Sequence, residues 1–301
     1  MHHHYQKSLS YKLFTVFNYA LLTIIAVLCL LPLIHILAVS FSGSAAATAN
    51  LVGLWPVDFT LDAYEKTIGN ENFLRSLWNS FLRVVLGTVI SMGAMLCAAY
   101  PLSKSDDAFR GRKLYMWFFV FTMLFHGGLV PTYMVVTKLG LTDTIWALIL
   151  PPAVSAFNLI LLVNFFRTSV PKSLEEAALM DGANHFTIFW KIYLPISVPA
   201  IATISLFTMV FHWNSWFDGL IYMSDVKHYP LSTFLQTIIV QQDFTKMSVD
   251  AETLKNLSER TVKAAQIFIA ALPMLIVYPF VQKFFVKGIV LGRKKSNRRR
   301  N

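Results

Sequence analysis

Six runs of mostly apolar residues, at about 14–40, 77–102, 114–136, 145–166, 198–222 and 266–290, alternate with polar stretches along the 301-residue chain. A helix needs about 20 such residues to cross the hydrocarbon of a bilayer, so each run predicts a transmembrane α-helix. A membrane β-barrel would show ~10-residue segments of alternating polarity instead. Helices satisfy their own backbone hydrogen bonds in lipid. The predicted fold class is all-α: an integral membrane protein of six spans, one domain over residues 1–301, with no internal repeat or linker. The first run is too long for the apolar core of a signal peptide, and no persuasive cleavage site follows it, so it is expected to remain as a span.

Composition agrees. Hydrophobic residues make up 55% and charged residues 14%, and mean hydropathy is +0.55, whereas soluble domains carry about 25% charged residues. The net charge of +10 raises the question of a nucleic-acid partner, which the placement of the charges answers. With six spans, the N-terminus, the 103–113 loop, the 167–197 loop and the C-terminal "GRKKSNRRR" share one side. That side holds 17 of the 26 Lys and Arg, counting Lys283 and Lys287 at the end of the sixth run. The opposite side holds 11 of the 16 acids, counting Asp218 near the end of the fifth run. By the positive-inside rule both termini are expected in the cytoplasm, and the basic tail reads as a topology signal with a lipid headgroup contact. Cys29 and Cys97 fall inside predicted spans and read as small apolar residues, so neither a disulfide framework nor a zinc site is indicated. The consecutive histidines His2, His3 and His4 are either a metal-binding tract or a cloning remnant and carry no functional reading.

The outer side is expected to carry two sizeable loops, 41–76 and 223–265, and one short connection, 137–144. Loops this long are usually functional or disordered. The second is expected to contain a helix running from about Ala251 into the sixth span, and both are large enough to dock a partner.

On the cytoplasmic side, "SLEEAALMDGANHFTIFWKIYLP" (173–195) interrupts the apolar pattern. Ser173 and Glu176 match the S-x-x-E capping box, which predicts a helix starting there, with Glu175 adding favourable charge in the first turn. Ala177, Ala178, Leu179 and Met180 continue it, and Gly182 stands where a left-handed residue would end it. Two turns are too few to be stable alone, so this helix needs a partner surface. Phe186, Phe189, Trp190 and Tyr193 then repeat at i, i+3, i+4 and i+7, which predicts an amphipathic interfacial helix with one aromatic face. Pro195 and Pro199 follow at the return to the bilayer.

The stretch reads E-A-A, three residues, G, nine residues, I, one residue, L-P through Glu176, Ala177, Ala178, Gly182, Ile192, Leu194 and Pro195. This spacing resembles the cytoplasmic loop of permease subunits of binding-protein-dependent ABC importers, and "MDGAN" fits the same pattern. The resemblance extends over residues 75–292 through "NSFLRVVLGTVISMGAMLCAAYPLSK", "FHWNSWFDGLIYM" and "ERTVKAAQIFIAALPMLIVYPFVQKFFVKGIVLG", the last similar to the carbohydrate-uptake branch.

The resemblance implies a permease fold of the MetI-like kind, whose 167–197 loop carries a coupling helix that docks in a cleft of a cytoplasmic ATPase. Glu175, Glu176, Ala177, Ala178, Asp181, Gly182 and Ala183 would make that contact, with Ser173, Ile192, Leu194 and Pro195 shaping the loop and Glu176 facing an ATPase arginine. It further implies a heterodimer with a sister permease, two ATPase subunits that hold ATP and Mg, and a periplasmic or extracellular solute-binding protein resting on the outer loops. The location would be the bacterial cytoplasmic (inner) membrane. No cofactor is expected on this chain, which lacks a G-x-x-x-x-G-K-[ST] phosphate loop and is therefore not expected to hydrolyse ATP itself.

Polar groups stranded within spans usually face protein or water. Trp213, Asn214 and Asp218 are the candidates for the transport path, since sugars stack on aromatic rings and hydrogen-bond to amides and carboxylates; helix packing and interface anchoring remain the alternative. Arg83 reads as snorkelling to headgroups or as admitting an acidic substrate. His35 and Asn18 are assigned helix contacts only, and Phe284, Lys287 and Gly288 lie where the resemblance places an approach to the ATPases. The expected cargo is an oligosaccharide, with an acidic fragment such as alginate as the specific candidate. A secondary transporter or channel would instead require ionisable residues near the bilayer midplane. A membrane enzyme would require a convergent nucleophile, base or metal set, and no such spacing is present.

Overall fold

The computed structural model describes residues 9–245 and 260–277, and no strand occurs among them. The chain divides into two compact units, one of residues 1–71 with 241–272 and the other of 72–240 with 273–301.

In the first unit, α1 (Leu9–Ser40) is a 32-residue helix whose apolar side chains are mostly exposed, as lipid-facing residues are. Its C-terminal end packs Ala38 and Val39 against Ala46, Ala47, Val52 and Ala264. The loop that follows is ordered by hydrogen bonds. Ser42 donates to the Ala38 carbonyl (2.6 Å) and accepts from the Val57 amide (3.1 Å), and Arg260 donates to Asn50 (2.6 Å). His35 meets the carbonyl of Gly53 at 2.8 Å, which ties the helix to this loop.

The second unit is built around α2 (Glu71–Leu102), the second span, which runs from Glu71 and so begins earlier than the apolar pattern. The third apolar run is not one helix: α3 (Arg112–Leu124) and α4 (Leu129–Lys138) meet at 114°. The cause lies in "FHGG", where Phe125 is extended and Gly128 adopts φ +90°. The fourth run is likewise divided. A short turn at Ile145–Ile149 leads through Pro151 and Pro152 to α5 (Ala156–Ser169), whose N-terminus Ser155 caps.

Next come α6 (Lys172–Met180), α7 (His185–Ile196) and α8 (Val198–Asn214), with an 80° bend between the last two. The fifth run also breaks at Ser215, and α9 (Phe217–Tyr222) is separate from α8. An unforeseen helix, α10 (Leu231–Thr245), occupies part of the stretch expected as the 223–265 loop. Finally α11 (Arg260–Val277) covers the described part of the run expected as the sixth span. The helix start expected near Ala251, the rest of that span to 290, Phe284, Lys287, Gly288, the basic tail and His2–His4 lie outside the described residues.

Three described helices are long and apolar enough to cross a membrane, and up to five spans result if each bent pair counts as one. The main core joins Met92, Met95, Ala99 and Leu102 of α2 to Leu159, Leu162, Val163 and Phe166 of α5, with Ile188 and Tyr193 of α7 and Ile204 of α8. This core continues to the end of α2 at Leu102, and Ala178 of α6 packs against it. Both cysteines are unpaired and exposed on helices.

Candidate functional site

The helix α6 begins at Lys172 with Pro171 as its N-cap, and no side chain caps it. This corrects the expected capping box: Ser173 lies inside the first turn and is exposed. Proline already fixes the entry angle and brings no N–H that would need a partner, so the helix starts before the serine can act as a cap. Its end is as the sequence predicts. Gly182 takes φ +80°, the Asp181 amide bonds the Ala177 carbonyl at 2.9 Å, and the Ala183 amide returns to the Ala178 carbonyl at 2.9 Å. These two bonds satisfy carbonyls that the last helical turn leaves free.

Helical spacing separates the two glutamates. Ser173, Glu176, Ala177 and Met180, at i, i+3, i+4 and i+7, form an exposed face on which Met180 is 89% accessible. Asp181 and Gly182 are exposed beside it. Glu175 and Ala178 lie on the other face and are half-buried, and Ala178 and Ala183 pack on the main core.

Glu175 is held from both sides. Lys104, just beyond the end of α2, is only 8% exposed and donates from Nζ to Glu175 Oε1 at 2.6 Å. The Tyr193 hydroxyl donates to Oε2 at 2.6 Å and accepts from Lys104 at 3.1 Å. The ammonium also sits over two rings, 3.9 Å from the centroid of Tyr100 and 4.2 Å from that of Tyr193. Burial alone would raise the Glu175 pKa, but the hydrogen bonds from Lys104 and Tyr193 outweigh it and hold the carboxyl below its ordinary value. For Lys104 burial is the larger effect and lowers the ammonium pKa, with Glu175 opposing.

The aromatic face expected on α7 is divided. A π-helical turn at Phe189–Tyr193 rotates the chain between the two ends of the pattern. Tyr193 is 4% exposed and packs edge-on against Phe166 and Tyr100, whereas Phe186 and Trp190 are 69% and 54% exposed. Ile192 and Leu194 are half-buried, with Ile192 on the core, and Pro195 is exposed in the last turn.

The in-span candidates do not form one constellation. Trp213 is half-buried, and Asn214 is exposed with its amide on the Val210 carbonyl of its own helix at 2.9 Å. Asp218 belongs to an ion pair with Arg83. Arg83 is fully buried, which overturns the snorkelling reading, and its pairing removes it as a free cation for an acidic substrate. Its guanidinium also donates to the Ser215 carbonyl at 3.0 Å, where α8 ends and one fewer helical partner is available. The same carbonyl accepts from Ser232 at 2.7 Å, and Thr233 donates to the Trp216 carbonyl at 2.7 Å. Broken helices are tolerated in a bilayer where protein supplies the missing partners in this way. Sequence reasoning singled out Arg83 and Asp218 separately but not their pairing, and it passed over Lys104, whose only signal is a cation just past the C-terminus of a helix. No group of three or more metal-ligating side chains occurs among the described residues.

Comparison with known proteins places these features in context. Residues 5–291 match the family described as binding-protein-dependent transport system inner membrane component. The polygalacturonan/rhamnogalacturonan transport system permease protein YtcP of Bacillus subtilis is 43% identical over 290 residues, covering 95% of this chain and 99% of that protein. Protein LplC of the same organism is 41% identical over 287 residues, with 95% and 96% covered. Among solved structures, that of a bacterial ABC transporter involved in the import of the acidic polysaccharide alginate includes a chain that superposes with a TM-score of 0.83 at 36% identity, covering 92% of this chain and 98% of that one. With an all-helical permease fold and a match over nearly its whole length, this chain belongs to the family of binding-protein-dependent transport system inner membrane components.

Proposed function

We propose that this chain is one of two permease subunits of an ATP-driven importer that moves an acidic oligosaccharide into a bacterial cell. Six spans over one permease domain, with both termini in the cytoplasm, would form half of the pathway in the cytoplasmic membrane. A sister permease of different sequence would form the other half. The ATPase subunits, which bind ATP and Mg, are separate polypeptides, and a solute-binding protein delivers the cargo to the outer loops. Membership of the family stands against the secondary-transporter reading. Cargo of this class is supported by two similar proteins, one a permease for polygalacturonan and rhamnogalacturonan and one from an importer of alginate.

The observation that carries this reading is the two-sided α6. One face is packed and ion-paired onto the membrane domain, and the other, with Glu176, Ala177 and Met180, is exposed. A short helix presented in this way can transmit force only if another protein grips its free face. In this reading Glu176 meets a basic group of the ATPase, and Asp181, Gly182 and Ala183 fix the shape of the end that enters the ATPase cleft. Trp213 and Asn214 face the pathway.

The test is ATP hydrolysis by the purified complex of this permease, its sister and the ATPase, with a binding protein loaded with oligogalacturonate or with alginate oligomers. Stimulation by one of them is expected and identifies the cargo. Glu176→Ala is expected to weaken retention of the ATPase while leaving the permease folded. Failure of the wild-type permease to retain any ATPase would overturn the reading.

A further inference from the structure

The chain connects α6 directly to two membrane elements. Pro171 joins it to α5, and the segment through α7 joins it to α8. It has no such connection to α2, which precedes it by some seventy residues. Movement imposed on α6 therefore reaches α2 only through side-chain contacts. The strongest of these are polar and nearly dry: Lys104 Nζ to Glu175 Oε1 at 2.6 Å, Tyr193 to Glu175 Oε2 at 2.6 Å, and Lys104 to Tyr193 at 3.1 Å close a triangle. Tyr100, on the last turns of α2, adds a bond to His185 Nδ1 at 3.1 Å and edge-on contacts with Phe189 and Tyr193.

Lys104 is itself fixed to the end of α2. Its amide bonds the Pro101 carbonyl at 3.2 Å, and Arg112 caps the Leu102 carbonyl at 2.9 Å while holding Asp106 at 2.7 Å. Apolar surfaces can slide past one another, but a buried charge that loses its partner cannot be left alone at small cost. The triangle therefore resists separation of α6 from α2 more than the alanine contacts around it do.

We propose that Lys104, Glu175 and Tyr193 form a buried tie through which movement of α6 is carried into α2, with Lys104 as its positioning residue. This rests on the reading of α6 as the ATPase-docking helix, and it gives Glu175 and Glu176 opposite tasks. Glu176 meets the ATPase. Glu175 engages the span.

The test uses the assembled importer, with the native cysteines replaced and single reporter cysteines introduced. Met180→Cys reports ATPase docking through protection from maleimide, and Trp78→Cys, at the far end of α2, reports movement of that helix on addition of ATP and vanadate. With the tie intact, Trp78→Cys should change its labelling rate by about fivefold or more, the scale of ordinary couplings between sites. In Lys104→Met, and in the isosteric Glu175→Gln, the change should vanish while Met180→Cys stays protected. Lys104→Arg, which keeps the charge, should retain both signals.

A nucleotide-dependent change at position 78 that persists in Lys104→Met or Glu175→Gln would overturn the tie, as would its absence in the unmodified background or its loss in Lys104→Arg. Lack of protection at position 180 in the unmodified background would instead count against ATPase docking itself, so the two failures are separable. If Lys104→Met does not assemble, Glu175→Gln decides the question, because it preserves shape and an acceptor for Tyr193.

Discussion

Arg83 of α2 and Asp218 of α9 form an ion pair across the break that separates α8 from α9. The arginine is fully buried, and the carboxylate also accepts from the Ser215 hydroxyl at 3.1 Å and the Gly219 amide at 2.9 Å. One cation thus neutralises the acid that starts α9 and partners the carbonyl that ends α8. This pair joins two apolar segments and closes a broken helix at once, so each charge finds its partner in the other segment.

Replacement of Arg83 by methionine should therefore destabilise the membrane domain by about 3–5 kcal/mol, the usual cost of stranding one member of a buried pair. Thermal unfolding in detergent measures this. The double variant Arg83→Met/Asp218→Asn should recover part of the loss, since no charge is then stranded. An unchanged unfolding midpoint in the single variant would show that water, not Arg83, stabilises Asp218.

Gly87 is the second device on the same face of α2. A Cβ there would lie 2.5 Å from Nε2 of His212, a buried ring on α8. Gly87→Ala should cost about 1–3 kcal/mol by overpacking, and His212→Ala in the same chain should relieve it. Additive losses in the double variant would indicate that the two residues do not meet.

Gly182 has φ +80°, and a Cβ at this position would meet nothing within 4 Å, so backbone strain rather than crowding governs substitution there. Valine should cost about 1–2 kcal/mol at this left-handed position, and asparagine should cost less. Gly182→Val is expected to insert in the membrane yet lose transport relative to ATP turnover. A normal ratio of transport to ATP hydrolysed in that variant would count against a rigid α6.

Because its native partners lower the Glu175 pKa, this carboxylate contributes stability above its ordinary pKa, and the contribution is lost as pH falls through the depressed native value. Limited proteolysis of the 167–197 loop should accordingly accelerate on acidification in the wild type. Glu175→Gln should be cleaved faster at neutral pH and show a flatter profile. Parallel profiles for the two proteins would exclude Glu175 as the titrating group.

Among the described residues Asn214 bonds only within its own helix, and it is exposed, so Asn214→Ala should change stability by no more than about 0.5 kcal/mol. Loss of uptake with an unchanged unfolding midpoint is the expected result for a pathway residue. Full uptake would remove Asn214 from the pathway.

The loop shows how far local signals reach. Gly182 was legible because a left-handed end is a property of one residue and its neighbours. The spacing of Glu176, Ala177, Ala178, Gly182, Ile192, Leu194 and Pro195 likewise belongs to the chain itself. Ser173 was misread because two local devices competed, and the proline one position earlier than Lys172 set the start. The aromatic face failed for a different reason: the i, i+3, i+4, i+7 rule assumes α-helical pitch, and the π-turn at Phe189–Tyr193 breaks that assumption.

By itself the sequence determined that the apolar runs are helical and that Gly182 ends α6, but not the breaks inside the third, fourth and fifth runs, because hydropathy, helix periodicity and glycine chemistry act over a few residues. Only the tertiary structure decided that Arg83 pairs with Asp218, that Gly87 receives His212, and that Lys104 takes Glu175 while leaving Glu176 free. Each of these joins residues far apart in the chain. A charge in an apolar run announces that it needs a partner, but which helix supplies that partner is set by packing between helices, and no spacing along the chain encodes it.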